Sequence, residues 1–292
     1  MNLSVQNNPP QVFVPKPKIS LDKLVETNLP PSPRGIMQIS KLLRDPNTQP
    51  RRVVEAIGYE PPLVARILRL ANSPIYSVNR KVTSIQGAMA VIGDRTLEEL
   101  VMVILGSSTF SKQIAKSFLA RKNWEHSLAV AITARGLAEF LKLRGTEEVF
   151  ICGLLHDIGK FMLLVHDPDG FGTLLQEHRD GDVLAAEKEA YGYDHSEIGA
   201  LVARRWGLQE EVCYAIRHHH SSAGAERAAI VSQVIESADM LANFKGYGLR
   251  RVEPEALSTM DALHLLSIGM DDLETVWSLV SDEVAEAVRG YE

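Results

Sequence analysis

The sequence predicts an all-α protein, and two observations carry that prediction. Apolar residues recur at three- and four-residue spacing through most of the chain, which is the period of a helix with one buried face. No segment shows sustained alternation of polar and β-branched residues, which is the pattern of a half-buried strand. We therefore expect a fold of packed helices with little or no sheet.

The N-terminal half is predicted to begin with an extended segment and to continue in helices. Proline is concentrated near the start, so residues 1–18 are predicted to be an extended or disordered lead-in. Pro61-Pro62 begins a helix that ends before Pro74. A short buried helix over residues 84–93 is closed by Gly93, and Asp94 caps the next helix.

The C-terminal half is predicted to be a series of helices separated by polar turns. Turn signals occur at Asp169-Gly170 and over residues 179–182. A polar break over residues 245–248 precedes a C-terminal helical tail. Helical periodicity covers residues 123–143, 146–165, 194–206, 209–220 and 226–244.

Composition and charge exclude several classes of function. The chain has 292 residues, enough for one large domain or two smaller ones around a sizeable core. Its net charge is −6, so sequence-independent attraction to a nucleic-acid backbone is not expected. Small basic spots at Arg66/Arg69 and Arg80-Lys81 are interpreted as solvated surface.

Cysteine content and hydropathy indicate a cytoplasmic location without a membrane partner. Cys152 and Cys213 lack a CxxC spacing and fit a reducing compartment as buried apolar residues. The N-terminus has no apolar core of a secretory signal. The most apolar stretch recognised in the sequence, residues 97–105, is too short to span a bilayer.

Histidines and aspartates of the C-terminal half form the candidate site. A single buried histidine is more often a hydrogen-bonded structural residue than a ligand, but imidazole and carboxylate together are the usual ligands of zinc, iron, manganese and nickel. The sequence therefore predicts a centre for a divalent transition metal (Fe, Zn, Mn or Ni), with one or two ions. The candidates are His126, His156, Asp157, His195, His218, His219, His220 and Asp239.

The pair His156-Asp157 carries most of this argument. It lies in the apolar segment GLLHDIGK, where a buried carboxylate is costly unless a cation offsets its charge. Gly153 and Gly159 flank the pair and leave space for a neighbouring helix or a ligand. Asp239 is a second carboxylate in a mainly apolar helix and raises the same question.

Residues beside the candidate ligands have two interpretations each. Lys160 follows His156 by four residues, so it either holds an anion in a phosphate site or extends to the surface as an ordinary lysine. Glu125 and Glu197 are interpreted as residues behind the ligands or as solvent-facing groups. Cys152 is within helical reach of His156, although burial as an apolar residue is favoured.

The order H…HD…H…HH…D in a helical protein resembles the HD superfamily of metal-dependent phosphohydrolases, and in particular its HD-related output domain (HDOD) branch. The resemblance begins near residue 19 and extends to the C-terminus. It is carried by LPPSPRGI (29–36), GYEPPLVARILRLANSPIYS (58–77), KVTSIQGAMAVIG (81–93), WEHSLAVAITARGLA (124–138), GLLHDIGKFMLL (153–164), YGYDHSEIGALVARRWGLQEEVCYAIRHHH (191–220) and SADMLA (237–242).

The resemblance implies a two-lobed helical domain over residues 19–292. It implies an N-terminal lobe over about 19–115, a five-helix HD-like core over about 116–245 and a helical tail over about 246–292. Asp157 would bridge two ions if two bind, and Asp157 with Lys160 would serve catalysis in an active enzyme. The ligand set that it implies is His126, His156, Asp157, His195, His219, His220 and Asp239.

Two positions depart from the related cyclic-di-GMP phosphodiesterases. Their histidine pair leads into a glutamate and a Gly-Tyr-Pro turn, whereas Ser221–Gly224 follow here, so specific cleavage of cyclic-di-GMP is not implied. Lys122 stands where some of those enzymes place an extra glutamate ligand, so a third metal is not expected. His218 precedes the ligand pair and is not expected to bind metal.

Two functions remain open at the level of sequence. The favoured one is a bacterial regulatory module that keeps its metal site and acts by binding a signalling protein or a small phosphorylated ligand. The alternative is an active phosphohydrolase or phosphodiesterase on a nucleotide or cyclic nucleotide. A catalytic site requires an open cleft that reaches the ligands, whereas a structural site is closed by local side chains.

Overall fold

A computed structural model describes most of the C-terminal two thirds of the chain and parts of the remainder. The described residues are 20–28, 42, 45, 47–58, 67–68, 70–72, 76, 82–94, 96–97, 117–179, 182–205, 208–225 and 229–289. The predicted lead-in over residues 1–18, the basic spots Arg66/Arg69 and Arg80-Lys81, and the start of the helix at Pro61-Pro62 lie outside the described residues.

All regular elements within the described ranges are helices, so the all-α prediction is confirmed. A helix over residues 85–94 includes Gly93, whose φ of +79° suits a residue without a side chain. The α-helices whose bounds lie within the described residues are α1 (Leu21–Asn28), α2 (Pro50–Gly58), α3 (Phe118–Phe140), α4 (Thr146–Leu155), α5 (Ile158–His166), α6 (Pro168–Glu177), α7 (Val183–Tyr191), α8 (His195–Arg205), α9 (Glu210–Arg217), α10 (Ala229–Phe244), α11 (Pro254–Ser258), α12 (Asp261–Leu266) and α13 (Met270–Arg289).

Helix α3 is the centre of the core and packs along α4, α10 and α13. Its small residues allow close approach, because a Cβ added at Gly153 of α4 would lie 2.8 Å from the Cα of Ala131. A Cβ added at Gly136 of α3 would likewise lie 2.6 Å from Cγ1 of Val280 in α13. At the other end of α3, the buried Trp124 contacts Phe161 of α5 edge to face, with ring centroids 6.2 Å apart.

The helix predicted over residues 146–165 is two helices, and the break falls at His156-Asp157. Asp157 has φ −98° and ψ 14°, outside regular helical geometry, and it stands at the N-cap of α5. His156 Nδ1 donates to the carbonyl oxygen of Gly153 at 2.7 Å. The prediction of one continuous helix was wrong. Hydrophobic periodicity does not reveal a break in a helix when the apolar residues on both sides of the break keep the same spacing.

The turn predicted at Asp169-Gly170 was also wrong. Both residues lie in the first turn of α6, which begins at Pro168. Asp167 caps this helix by accepting a hydrogen bond from the Gly170 amide at 3.3 Å. Asp-Gly is a turn signal, but proline at the first helical position and a capping aspartate before it are the stronger local signals.

One stretch of the described residues, Val149–His166, is long and apolar enough to cross a membrane, and 78% of it is buried inside the protein. It is longer than the stretch at residues 97–105 that stood out in the sequence. It covers α4 and α5, which pack against α3 and α8. Packing in the core accounts for its apolar character.

Candidate metal centre

Seven side chains from five separate segments converge on one buried point. His126 comes from α3, His156 and Asp157 from the α4–α5 break, His195 from the start of α8, His219 and His220 from the segment after α9, and Asp239 from α10. Within the described part of the chain they form two groups of potential ligand atoms, each within 4.8 Å. One group is Asp157, His195, His219 and His220; the other is His126, His156 and Asp239.

Asp157 lies between the two groups and presents one carboxylate oxygen to each. Its Oδ1 is 3.2 Å from His195 Nε2 and 3.7 Å from His219 Nε2. Its Oδ2 is 3.5 Å from His156 Nε2 and 3.8 Å from His126 Nε2. A carboxylate placed in this way suits a bridge between two cations.

Backbone carbonyl groups orient three of the histidine rings. The Nδ1 atoms of His156, His219 and His126 lie 2.7, 2.7 and 2.6 Å from the carbonyl oxygens of Gly153, Ile216 and Tyr247. When each Nδ1 carries the proton and donates it to the carbonyl, each Nε2 keeps a lone pair that faces the centre. This tautomer is the one that a metal ligand requires.

A carboxylate that was not recognised in the sequence orients His195. Glu187 of α7 is fully buried, and its carboxylate lies 2.8 Å from His195 Nδ1 and accepts from the His195 amide at 2.8 Å. Burial lowers the pKa of His195, but the charge of Glu187 and the hydrogen bonds from Glu187 and Asp157 together outweigh burial and raise the pKa to about 9. Glu187 therefore makes His195 a more basic ligand.

We predict that Glu187→Gln weakens metal binding without unfolding the protein. Removing the charge behind a ligating histidine lowers metal affinity about 10- to 100-fold. The measurement is a competition titration against a fluorescent chelator. Glu189→Gln is the matched control, because Glu189 lies on the same helix and is exposed. Equal affinities of the two variants would contradict the role given to Glu187.

Asn243 and the segment after α10 position the other half of the site. Asn243 Nδ2 donates to Asp239 Oδ1 at 2.8 Å, and Asp239 Oδ1 lies 2.8 Å from His126 Nε2. A side chain at Gly248 would collide with Asn243 Oδ1 unless Asn243 moved, so glycine at that position leaves Asn243 in its contact with Asp239. The segment that the sequence marked only as a polar break therefore supports both Asp239 and His126.

Electrostatics keeps His156, Asp157 and Asp239 in the protonation states of metal ligands. Burial is the main effect on His156 and lowers its pKa to about 3, so its imidazole is neutral. Burial raises the pKa of Asp157, but the charges of His156 and Lys160 together with hydrogen bonds from His195 and His219 outweigh it, and the carboxyl pKa lies well below its usual range. For Asp239, too, burial is outweighed by the hydrogen bond and charge of His126 together with the charges of His156 and His220, and its pKa is lowered.

The residues fit a cationic metal ion. His156 Nε2 is buried and has no hydrogen-bond partner, a costly state for a polar atom unless a cation satisfies it. His195 Nε2 also lies 3.3 Å from His219 Nε2 and 3.0 Å from His220 Nε2. Imidazole nitrogens that converge in this way are arranged as ligands.

Four other residues singled out in the sequence lie outside both ligand groups. The ring of His218 stacks on Tyr214, with centroids 5.8 Å apart. Glu125 pairs with Lys122 at 2.6 Å, and Glu197 accepts from the Asp194 amide at 3.0 Å. Cys152 is buried in the core.

An open cleft of about 610 Å³ reaches the ligands from the surface. Five of the seven candidate ligands line it, as does Lys160, whose Nζ donates to Asp157 Oδ2 at 2.7 Å. Burial lowers the pKa of Lys160, but Asp157, Asp239 and Glu187 together outweigh burial and raise it, so the ammonium stays charged beside the candidate ligands. A cleft of this volume accommodates a nucleotide-sized ligand.

Sequence reasoning missed Glu187, Asn243 and the Tyr247 carbonyl group. Glu187 alone carries a recognisable signal, because it lies on the buried side of a short helix eight residues before His195. Tyr247 contributes a backbone atom, which no side-chain pattern reveals. Asn243 lies one helical turn after Asp239, a spacing that permits but does not require contact.

Comparison with known proteins identifies a family model that matches two thirds of the chain. The model, described as the HDOD domain, matches residues 29–222. Among curated proteins, a Ribonuclease Y of Thermus thermophilus is 26% identical over 243 residues, which is 83% of this chain and 34% of the ribonuclease. The chain thus spans about a third of the length of this relative.

Solved structures share the fold over nearly the whole chain. A candidate phosphohydrolase from Shewanella amazonensis SB2B is 25% identical, with a TM-score of 0.74, covering 93% of this chain and 98% of that one. A candidate signal transduction protein from Marinobacter aquaeolei VT8 is 20% identical, with a TM-score of 0.74, covering 96% of this chain and 62% of that one. The similarity to the Marinobacter aquaeolei protein establishes a shared fold and nothing about function.

Proposed function

This chain belongs to the HDOD family, and from that premise we propose that it is a metal-dependent phosphohydrolase that acts on a phosphate ester held in the open cleft. The observation that carries the proposal is the cleft itself, which extends from the surface to the candidate ligands. A site kept only for structure needs no such access. The candidate phosphohydrolase from Shewanella amazonensis SB2B, which has the same fold, supports the same class of reaction.

The metal would be held by the two ligand groups with Asp157 between them. Divalent ions at such a site lower the pKa of bound water and offset charge on phosphate oxygens. Iron, zinc, manganese and nickel all accept this set of imidazole and carboxylate ligands. The protein itself supplies orientation, through Glu187 behind His195 and the Tyr247 carbonyl group behind His126.

Lys160 would bind the phosphate. Its ammonium is at the cleft wall, and its pKa is raised, so it carries a full charge at neutral pH. The interpretation of Lys160 as an ordinary surface lysine is disfavoured, because its side chain is only 18% exposed. A charged lysine in this position would neutralise an anionic oxygen as the ester is cleaved.

The second candidate is the regulatory module that the sequence favoured, which binds a signalling protein or a phosphorylated ligand without cleaving it. The Lys160 contact favours it, because an ammonium already lies against Asp157 Oδ2, the oxygen that faces His156. Such a contact competes with a cation in that half of the site. If Lys160 excludes a cation in this way, the centre would hold one ion and would not hydrolyse the bound ligand.

The test is elemental analysis combined with a hydrolysis assay. Protein as purified, protein stripped with chelator, and protein reloaded separately with each of the four metals are assayed on bis(p-nitrophenyl) phosphate and on phosphodiesters that include cyclic dinucleotides. We expect bound metal as purified, turnover that is lost on stripping, and recovery with at least one metal. Metal without turnover on any substrate favours the regulatory module, and protein that binds no metal contradicts both.

A further inference from the structure

Two arginines lie along the cleft at positions outside both ligand groups. Arg179 follows α6, and its Nε donates to the carbonyl oxygen of Leu249 at 3.3 Å. Its own carbonyl oxygen accepts from the Arg251 amide at 3.3 Å. These contacts tie the segment after α6 to the segment after α10. Arg179 is thereby held at the cleft with most of its guanidinium donors still available.

No described carboxylate forms an ion pair with either of these arginines. Arg250 makes one weak contact, from Nη1 to Met240 Sδ at 3.6 Å, and sulfur is a poor acceptor. Among the described residues, neither Arg179 nor Arg250 has a carboxylate within ion-pair distance, and both are exposed. The two lysines of the cleft differ, because Lys122 pairs with Glu125 and Lys160 pairs with Asp157.

The acidic residues of the cleft that are not candidate ligands are engaged elsewhere. Asp182 Oδ1 caps α7 by accepting from the Ala185 amide at 3.1 Å. Glu236 Oε2 accepts from the Ser222 amide at 3.1 Å. Within the described part of the cleft, Arg179 and Arg250 therefore keep guanidinium donors that no carboxylate occupies. Guanidinium groups bind phosphate through paired hydrogen bonds.

Apolar side chains line the same cleft. They provide a surface on which a nucleobase or a sugar can pack, as in most ligand pockets, where a few polar groups set orientation. The arginines, the apolar wall and Lys160 thus offer separate contacts to separate parts of one ligand. The apolar residues are Leu175, Val183, Leu184, Met240, Leu249 and Met260.

We infer that Arg179 and Arg250 form a second phosphate subsite, and that the ligand is a nucleotide carrying a second phosphate group distant from the one at the metal centre. The inference rests on the proposed function, which places the first phosphate beside Lys160 and the metal ligands. It narrows the substrate class, because a simple phosphomonoester has no second phosphate group for the two arginines to bind.

The test uses two dinucleotides that differ by one phosphate. ApA has one phosphodiester, and pApA has the same phosphodiester and a terminal 5′-phosphate. Binding of each to the full-length, metal-containing protein is measured by calorimetry. We expect pApA to bind at least about tenfold more tightly than ApA, since each charge-assisted contact to phosphate contributes about that factor. Arg179→Gln/Arg250→Gln should bind the two probes equally.

Two further variants distinguish the effect of the arginines in the cleft from the effect of positive charge elsewhere on the surface. Arg251→Gln removes a neighbouring arginine that does not line the cleft, and it should keep the full preference for pApA. Arg179→Lys/Arg250→Lys should keep part of it, because lysine retains charge but loses the paired geometry. Circular dichroism confirms folding, which these exposed substitutions should not disturb.

The outcomes distinguish this inference from the proposed function. Equal binding of the two probes by the wild type, a preference that survives in Arg179→Gln/Arg250→Gln, or no binding of either probe overturns the second subsite. Chromatography of the same samples reports cleavage of the probes. Tighter binding of pApA without cleavage supports the second phosphate subsite and counts against the proposed hydrolysis. Cleavage of both probes without tighter binding of pApA supports hydrolysis and counts against the second subsite.

Discussion

Replacing Asp157 with asparagine should remove metal from both halves of the centre and abolish hydrolysis. Its Oδ1 faces His195 and His219, and its Oδ2 faces His156 and His126, so each group loses a charged ligand at once. Asparagine has the same shape, but a neutral amide binds a divalent ion weakly. We expect metal affinity to fall by more than the roughly 10- to 100-fold typical of residues behind the ligands. Elemental analysis and turnover provide the measurement.

Comparison with Asp239→Asn tests whether Asp157 bridges the two ligand groups. Asp239 belongs to one ligand group, and its Oδ1 lies 2.8 Å from His126 Nε2. That variant should lose metal from one half of the site only. Asp169→Asn, at an exposed position in α6, should keep the wild-type content. If Asp157→Asn and Asp239→Asn lose the same fraction of metal, Asp157 does not bridge.

Gly159→Ala should cause the largest loss of stability among single-methyl additions near the site. A Cβ at this position would collide with the carbonyl oxygen of His195 and lie 2.7 Å from its carbonyl carbon. The obstacle is backbone of α8, which cannot rotate away, so α5 and α8 must separate. We expect a loss of about 3 kcal/mol in the free energy of unfolding. The midpoint of thermal unfolding should fall by roughly 5–10 °C for a protein of this size.

Gly269→Ala is the matched control for this effect. A Cβ at Gly269 would have no heavy atom within 4 Å, and its φ is not in the left-handed region. Its melting temperature should stay within a degree or two of the wild type, because the added methyl group creates neither a clash nor strain. Thermal unfolding followed by circular dichroism measures both variants. A Gly159→Ala protein as stable as the Gly269→Ala protein would show that the two helices adapt.

The same substitution links stability to the metal centre. His195 is the first residue of α8, and its carbonyl group is the one that contacts Gly159. Any movement that relieves the clash therefore shifts a candidate ligand. Gly159→Ala should bind metal more weakly than Gly269→Ala at a temperature where both are folded.

Much of the fold was predictable because its signals are local. Helical periodicity, capping aspartates and glycines with positive φ act within a few residues, and they located the helices that begin near His195, Glu210 and Ala229. The candidate ligands were also recognisable, because a carboxylate in an apolar segment such as GLLHDIGK is costly without a partner. The assignment of these residues as ligands stays a prediction until metal content is measured.

The sequence by itself determined the residue types of the centre and the helices that carry them. Only the tertiary structure decided how Asp157 divides its oxygens between two groups, that Glu187 lies behind His195, and that the Tyr247 carbonyl group orients His126 across 121 residues of sequence. It also decided that Arg179 and Arg250 share a cleft with the candidate ligands. The physical reason is that these contacts join segments distant in the chain, and their geometry follows from helix packing rather than from any local pattern.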